Sequence, residues 1–230
     1  DIEKDLLGEI GNISMGSAST ALYQIINQKV NITTPVVSIT TLKEIKETFE
    51  TPTVVLDVEY TSGIIGRNIL IIKTEDAAVI ANLMMGGDGI VENHELSEIE
   101  ISAVQEAMNQ MIGSAATSMA TMFSREVNIS PPISKIWSNS EDALSSEIPE
   151  DQAIVRVNFR MTIGNLVDSN IMQILPVETA KKIVSIMIGK EDEDSNVSEQ
   201  NDNPVNNEIL VESYNDSYED VYEVNQPVSE

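Results

Sequence analysis

Asp5-Leu6-Leu7-Gly8-Glu9-Ile10-Gly11-Asn12 is answered 97 residues later by Ser102-Ala103-Val104-Gln105-Glu106-Ala107-Met108-Asn109. At the same offset Gly16 matches Gly113, Ala18 matches Ala115, Thr20 matches Thr117, and Val30-Asn31-Ile32 matches Val127-Asn128-Ile129. Pro35 likewise matches Pro132. Further along the offset becomes 102, where Asn68-Ile69 matches Asn170-Ile171, Ala78 matches Ala180, Met85 matches Met187 and Gly87 matches Gly189. An internal repeat of this length is a statement about architecture. Residues 1–189 read as one tandem duplication, with half-repeats about 1–95 and 96–189 and a short insertion in the second.

Each half shows the same order of elements. A long helical pattern runs over 2–28 and again over 96–125. Three β-rich stretches follow, over 30–45, 53–61 and 66–73, then over 127–138, 152–160 and 166–175. A shorter helix closes each half, over 74–86 and 176–188. The strand period is plain in Val54-Val55-Leu56-Asp57-Val58-Glu59-Tyr60 and in Ile154-Val155-Arg156-Val157-Asn158-Phe159. Gly86-Gly87 and Gly189 supply helix stops. Runs of strands flanked by helices predict an α+β fold. The expectation is one pseudo-two-fold domain: a six-stranded antiparallel sheet, two long helices on one face, and two shorter helices.

The composition narrows the function. Across 230 residues the net charge is −25, which disfavours nucleic acid and anionic membrane as partners, because both are polyanions. Cysteine is absent, so there is no thiol nucleophile, no disulfide and no cysteine-based metal site. No apolar run reaches the roughly 20 residues of a membrane span. With aromatics at 4%, the core must be built of aliphatic residues, Met and Ala. Residues 190–230 differ from the rest: Lys190 is their one basic residue among thirteen Asp and Glu, and no period persists. They read as an acidic, disordered linker or tail.

On a wheel of 100° per residue, Leu6, Leu7, Ile10, Ile13, Ala18, Ala21, Leu22 and Ile25 form a broad apolar arc that should face the sheet. Asp5, Glu9, Asn12 and Gly16 fall on one narrow stripe of the other side, spaced four, three and four residues apart. In the second half Val104, Met108, Met111, Ile112, Ala115, Met119 and Met122 form the arc, and Ser102, Glu106, Asn109 and Gly113 form the stripe. A merely solvated face would be better served by Lys, Glu or Gln, because Asn and Gly are poor helix formers and Gly costs about 1 kcal/mol relative to Ala. Glycines that allow close helix packing are the alternative explanation. The repetition of Glu, Asn, Gly and the distant Pro in both halves favours a functional site.

The spacing Asp5-x3-Glu9-x2-Asn12-x22-Pro35, repeated as Ser102-x3-Glu106-x2-Asn109-x22-Pro132, resembles the phosphatase signature of the CheC/CheX/FliY family. The match extends over residues 1–189. This resemblance implies hydrolysis of the aspartyl phosphate on phosphorylated CheY, the diffusible chemotaxis response regulator. It implies no cofactor of the chain's own, with Mg²⁺ expected on the partner regulator. Two signatures and an acidic tail are similar to the flagellar-switch branch of the family. That branch implies flanking segments on both sides, FliM, FliN and FliG as partners, and a place at the cytoplasmic face of the flagellar basal body. Two alternatives stay open: a stand-alone CheC-like phosphatase, and a non-catalytic rotor module like FliM.

Within that family reading the residues take roles. Water can attack an acyl phosphate directly, so what a phosphatase adds is positioning. A carboxamide accepts through its oxygen and donates through its nitrogen without adding charge, which suits Asn12 and Asn109 to orienting that water. Glu9 and Glu106 would pair with the regulator's active-site Lys, general-base action being the rival role. Asp5, Ser102, Gly16, Gly113, Pro35 and Pro132 are expected to support the site. The lone His94 lies in a polar stretch and reads as a solvated loop residue.

Overall fold

A computed structural model describes residues 1–190. The acidic segment, after Lys190, lies outside the described residues.

Helix α1 (Ile2–Ile26) starts on Asp1, whose side chain accepts from the Glu3 N–H. It ends at Asn27 in the left-handed conformation, where Asx residues are tolerated. Strand β1 (Val30–Thr41) follows, then a short helix α2 (Leu42–Glu47), strands β2 (Thr53–Ser62) and β3 (Gly66–Lys73), and helix α3 (Thr74–Met84). The second half repeats this with α4 (Glu98–Phe123), β4 (Asn128–Ile129) and β5 (Ile133–Trp137), β6 (Ala153–Ile163), β7 (Val167–Pro176) and α5 (Val177–Ile188). Helix α4 ends on left-handed Ser124, the counterpart of Asn27. It begins with a full capping box, in which Ser97 and Glu100 satisfy each other's backbone N–H groups.

Two expectations need correction. Residues 42–47 are helical, not part of the β stretch 30–45: the Thr41 hydroxyl caps the Glu44 N–H and turns the chain out of the sheet. The sheet has seven strands, not six. Pro131 and Pro132 cannot donate to a ladder, so the first β stretch of the second half breaks into β4 and β5, which share one edge position on β2.

Every pairing is antiparallel, in the order β1-β6-β7-β3-β2, with β4 and β5 both on β2. Exchanging the halves reverses this order and leaves it unchanged. The pseudo-two-fold therefore passes between the antiparallel central strands β3 and β7, perpendicular to the sheet. The first strand of each half pairs with the second strand of the other: β1 with β6, and β5 with β2.

Side chains alternate across the sheet and build two cores. On one face Val54, Leu56, Leu70, Ile72, Val155, Val157 and Phe159 pack beneath α1, α3, α4 and α5. Gly11 allows α1 to lie close to β6, since a Cβ there would stand 3.0 Å from the Phe159 ring. On the other face Val55, Ile69, Ile71, Ile154 and Ile174 are covered by Leu42 and Ile45 of α2 and by Leu144 and Ile148 of the insertion before β6. Trp137 packs edge-on against Phe49 there, with ring centroids 5.1 Å apart, and its Nε1 donates to the Asp142 carbonyl at 2.9 Å. Helices α1 and α4 cross where the Ser114 hydroxyl donates to the Ser17 carbonyl at 3.0 Å, a contact between equivalent residues of the two halves.

Candidate functional site

The expected apolar arcs of α1 and α4 do face the sheet: Leu7, Ile10, Ala18 and Leu22 are buried, as are Val104, Met108, Met111, Ile112 and Met119. Ile13 and Ile25 are exceptions, exposed on the outer surface of α1. Ile13 lies at the margin of the arc, where a wheel misassigns residues; Ile25 lies inside the arc but in the last turn of the helix, which ends at Ile26.

The polar stripe of α1 points away from this core. Asp5, Glu9 and Asn12 are exposed, and they line an open depression of about 600 Å³ together with Asp1, Lys4, Gly8, Thr34, Pro35, Val36 and Val37. Pro35, distant in sequence, thus comes to the side of Glu9 and Asn12. It can do so because β1 is an edge strand whose register shifts between Thr33 and Val36, and Pro35 sits in that bulge. Thr34 adopts φ 56°, an uncommon conformation for a β-branched residue, and this turns the chain around the depression. Thr34, Lys4 and Val36 were not singled out from the sequence; the identity of Pro35 gave the edge, but no periodicity marks a bulge.

On α4, Ser102 and Glu106 are exposed and Asn109 is half-buried. The Ser102 hydroxyl donates back to the Glu98 carbonyl at 3.0 Å. Pro132 is buried just before β5, so it resembles Pro35 in place but not in exposure.

The two Glu residues have different neighbours. Gln110 Nε2 donates to Glu106 Oε1 at 2.8 Å, one turn along α4. The equivalent of Gln110 in α1 is Ile13, and among the described residues Glu9 has no hydrogen-bond or ion-pair partner. Neither Asn12 nor Asn109 has a side-chain partner among the described residues. Each carboxamide is free to serve a ligand with both its oxygen and its nitrogen.

Gly16 and Gly113 decide between packing and access. A Cβ built on either meets no atom of the protein within 4 Å. Close helix packing therefore does not require them, and they leave open ground one turn beyond each Asn. The stripes continue alike, with Thr20 Oγ1 donating to the Gly16 carbonyl at 3.3 Å and Thr117 Oγ1 to the Gly113 carbonyl at 3.0 Å.

The CheC-like family model matches residues 2–39 and 99–136, which are the long helix and the first β stretch of each half. The solved structure of Thermotoga maritima FliY is similar at 42% identity and TM-score 0.76, over 83% of this chain and 98% of that one. The chain belongs to the CheC-like family. As a CheC-like protein it is also 48% identical, over 191 residues, to the flagellar motor switch phosphatase FliY of Bacillus subtilis (strain 168). That match covers 83% of this chain but 50% of the relative, so the chain spans about half the length of the curated relative it matches. The FliM middle domain of H. pylori shares the CheC-like fold at TM-score 0.65 and 16% identity, over 81% of this chain and 99% of that one. No helix among the described residues is long and apolar enough to cross a membrane.

Proposed function

We propose that the chain hydrolyses the aspartyl phosphate of phosphorylated CheY, and that it does so within the flagellar motor switch. The observation that carries this reading is the pair of outward stripes. Each sets a Glu and an unpartnered Asn three residues apart on a helix face, with a glycine the fold does not need one turn beyond.

The chemistry follows from those groups. A water held by the Asn12 or Asn109 carboxamide attacks phosphorus opposite the acyl oxygen. The P–O bond to the regulator's aspartate breaks, its electron pair returns to the carboxylate, and the water proton leaves on inorganic phosphate. Mg²⁺, expected on the regulator, would neutralise phosphoryl charge there. Glu9 or Glu106, about 4.5 Å along the helix axis from its Asn, takes the regulator's active-site Lys as an ion-pair partner. Asp5, Pro35 and Gly16, with Ser102, Pro132 and Gly113, shape the surface around each pair. The name of the Bacillus subtilis relative supports a place in the flagellar motor switch; FliM, FliN and FliG as partners, at the cytoplasmic face of the basal body, are what the family resemblance implies.

The test is decay of phosphorylated CheY with Asn12→Ala, Asn109→Ala and the double variant. Loss of a positioned water is expected to slow each site about 100-fold, so the double variant should approach the spontaneous rate. Wild-type decay in the double variant would refute the mechanism. Unaltered decay by the wild-type chain, with binding retained, would make it a scaffold.

A further inference from the structure

The two halves form the same trough at the outer edge of the sheet, and only one of them is covered. In the second half it lies between the start of α3, the start of α4 and strand β5. Ile136 of β5 stands opposite Val54, on the face of the sheet that carries the helices. The connector from α3 to α4 supplies the cover: Val91 and Leu96 pack against the core, and residues 92–96 border the same space as Thr74, Glu75 and Ile136. In the first half Ile39 is the counterpart of Ile136 and stands opposite Val155 on that same face, and Val177 of α5 is the counterpart of Glu75. Here Leu7, Ile39, Val155, Val177 and Val184 line a cavity of about 60 Å³. Apart from the cap Asp1, every residue that lines it belongs to α1, β1, β6 or α5, and among the described residues no connector covers it. Ile39 is accordingly 58% exposed against 37% for Ile136.

Charge and backbone say what fits this open trough. Lys4 and Lys181 stand at its rim beside Asp1 and Glu3, and neither lysine has an ion-pair partner among the described residues. The Asp1 carboxylate is already engaged, accepting from the Glu3 N–H. The counterparts of the two lysines in the second half are Ile101 and Val79, so these cations are peculiar to the first. The connector that covers the second trough reads Val91-Glu92-Asn93-His94-Glu95-Leu96, an acidic run between two aliphatic residues. A segment of that chemistry would set its acids against Lys4 and Lys181 and its aliphatic end in the cavity. The neighbouring backbone is open as well. Beyond its bulge, the edge strand β1 runs from Val36 to Thr41 with neither a proline nor a charged side chain to guard it. An edge of that kind accepts an extended segment alongside.

We infer that the trough between α1, β1 and α5 is a docking site for an extended, acidic segment of a partner protein, one aliphatic side chain of which enters the cavity beside Ile39. The occupant is set by the internal repeat, which shows in the second half what kind of segment the same fold accepts, and by the two unpaired lysines. Burial of the aliphatic side chain supplies affinity, and the lysines fix the direction of the segment. The inference does not rest on the phosphatase reading, because neither Glu9 nor Asn12 lines this cavity.

The test uses the intact chain and, as probe, a fluorescent synthetic peptide with the sequence of residues 89–97. Fluorescence anisotropy is expected to show saturable binding. Leu96→Asp in the peptide, or Ile39→Asp in the chain, should raise Kd about tenfold or more. Lys181→Glu should raise it by less, with the difference shrinking as salt is added. Ile65→Asp, an exposed position away from the trough, should match wild type. Thermal melting checks the fold, which surface changes at these positions should leave intact. Absence of saturable binding, binding indifferent to Leu96→Asp, or an equal loss in Ile65→Asp would overturn the inference. Sedimentation of the chain alone tests a rival occupant: dimers that Ile39→Asp dissolves would make the trough a contact between copies and overturn the partner. Loss of peptide binding in a longer form of the protein would likewise place the occupant within that protein and overturn it.

Discussion

Gly16 and Gly113 show how a single residue can separate folding from function. Neither is needed for packing, because a methyl group at either position would meet nothing within 4 Å. Each sits inside a long helix, where glycine is destabilising by roughly 0.5–1 kcal/mol relative to alanine. Gly16→Ala and Gly113→Ala should therefore each raise stability by about that amount, read as a shift in the urea midpoint at constant slope. The same changes should slow decay of phosphorylated CheY if the partner's backbone rests on that ground, a trade of activity for stability. Lower stability in both variants would show that the glycines serve the fold after all. The residue types at the site were legible because they contradict helix propensity twice. The inequality of the two sites was only half legible. Asp5 against Ser102 could be read from the repeat, but the bond from Gln110 to Glu106, and the exposure of Ile13 in its place, depend on side-chain placement that spacing does not fix.

At the scale of elements, the start of α4 fixes where the second stripe begins. The Glu100 carboxylate accepts from the Ser97 N–H at 2.7 Å, and the Ser97 hydroxyl accepts from the Glu100 N–H at 3.3 Å. The backbone N–H of Ser97 first, and its side chain second, hold the Glu100 carboxyl below the usual glutamate range. A folded-state pKa depressed in this way contributes stability above the unfolded pKa, and that contribution is lost as pH falls through the folded value. Acidifying from about pH 7 to about pH 3 should thus narrow the stability gap between wild type and Glu100→Gln, followed by urea unfolding at each pH. Ser97→Ala should cost about 1 kcal/mol near neutrality. A gap that stayed constant with pH would rule out the capping carboxylate as its source. The long helices and central strands were readable because their periods persist over many residues. Helix α2 was not, since six residues are too few to show a period and one Thr41 hydroxyl decides the turn. The second core was half-announced. Val54-Val55-Leu56 is apolar on both faces of a strand, which implies cover on both sides. What supplies that cover comes from a six-residue helix, through Leu42 and Ile45, and from the insertion before β6, through Leu144 and Ile148.

For the whole molecule the consequence of duplication is interlocking. The sequence divides near residue 95, but the structure does not: β1 takes its ladder from β6, β2 takes its outer neighbour from β5, and the two-fold runs through the β3–β7 pair. The helices interlock as well, through the Ser114–Ser17 contact on the axis. A two-fold perpendicular to the sheet reverses any helix lying on it, so α1 and α4 run in opposite senses and their N-terminal halves diverge from the crossing. The Glu/Asn pairs lie in those halves, Asn12 and Asn109 each five residues before the crossing serines. The duplication thereby sets the two sites apart on one rigid surface, facing outward. The same arrangement predicts that a half cannot stand alone. Residues 1–95 by themselves would leave β1 without a partner, expose the β3 edge and remove the part of the cover over Val55, Ile69 and Ile71 that Trp137, Leu144 and Ile148 supply. That half should show no cooperative unfolding as a monomer by far-ultraviolet circular dichroism and sedimentation, whereas mixing it with residues 96–189 should restore a folded one-to-one pair. A stably folded monomer of residues 1–95 would mean that the strands can re-pair within one half, and the two sites would then owe their placement to something other than strand exchange.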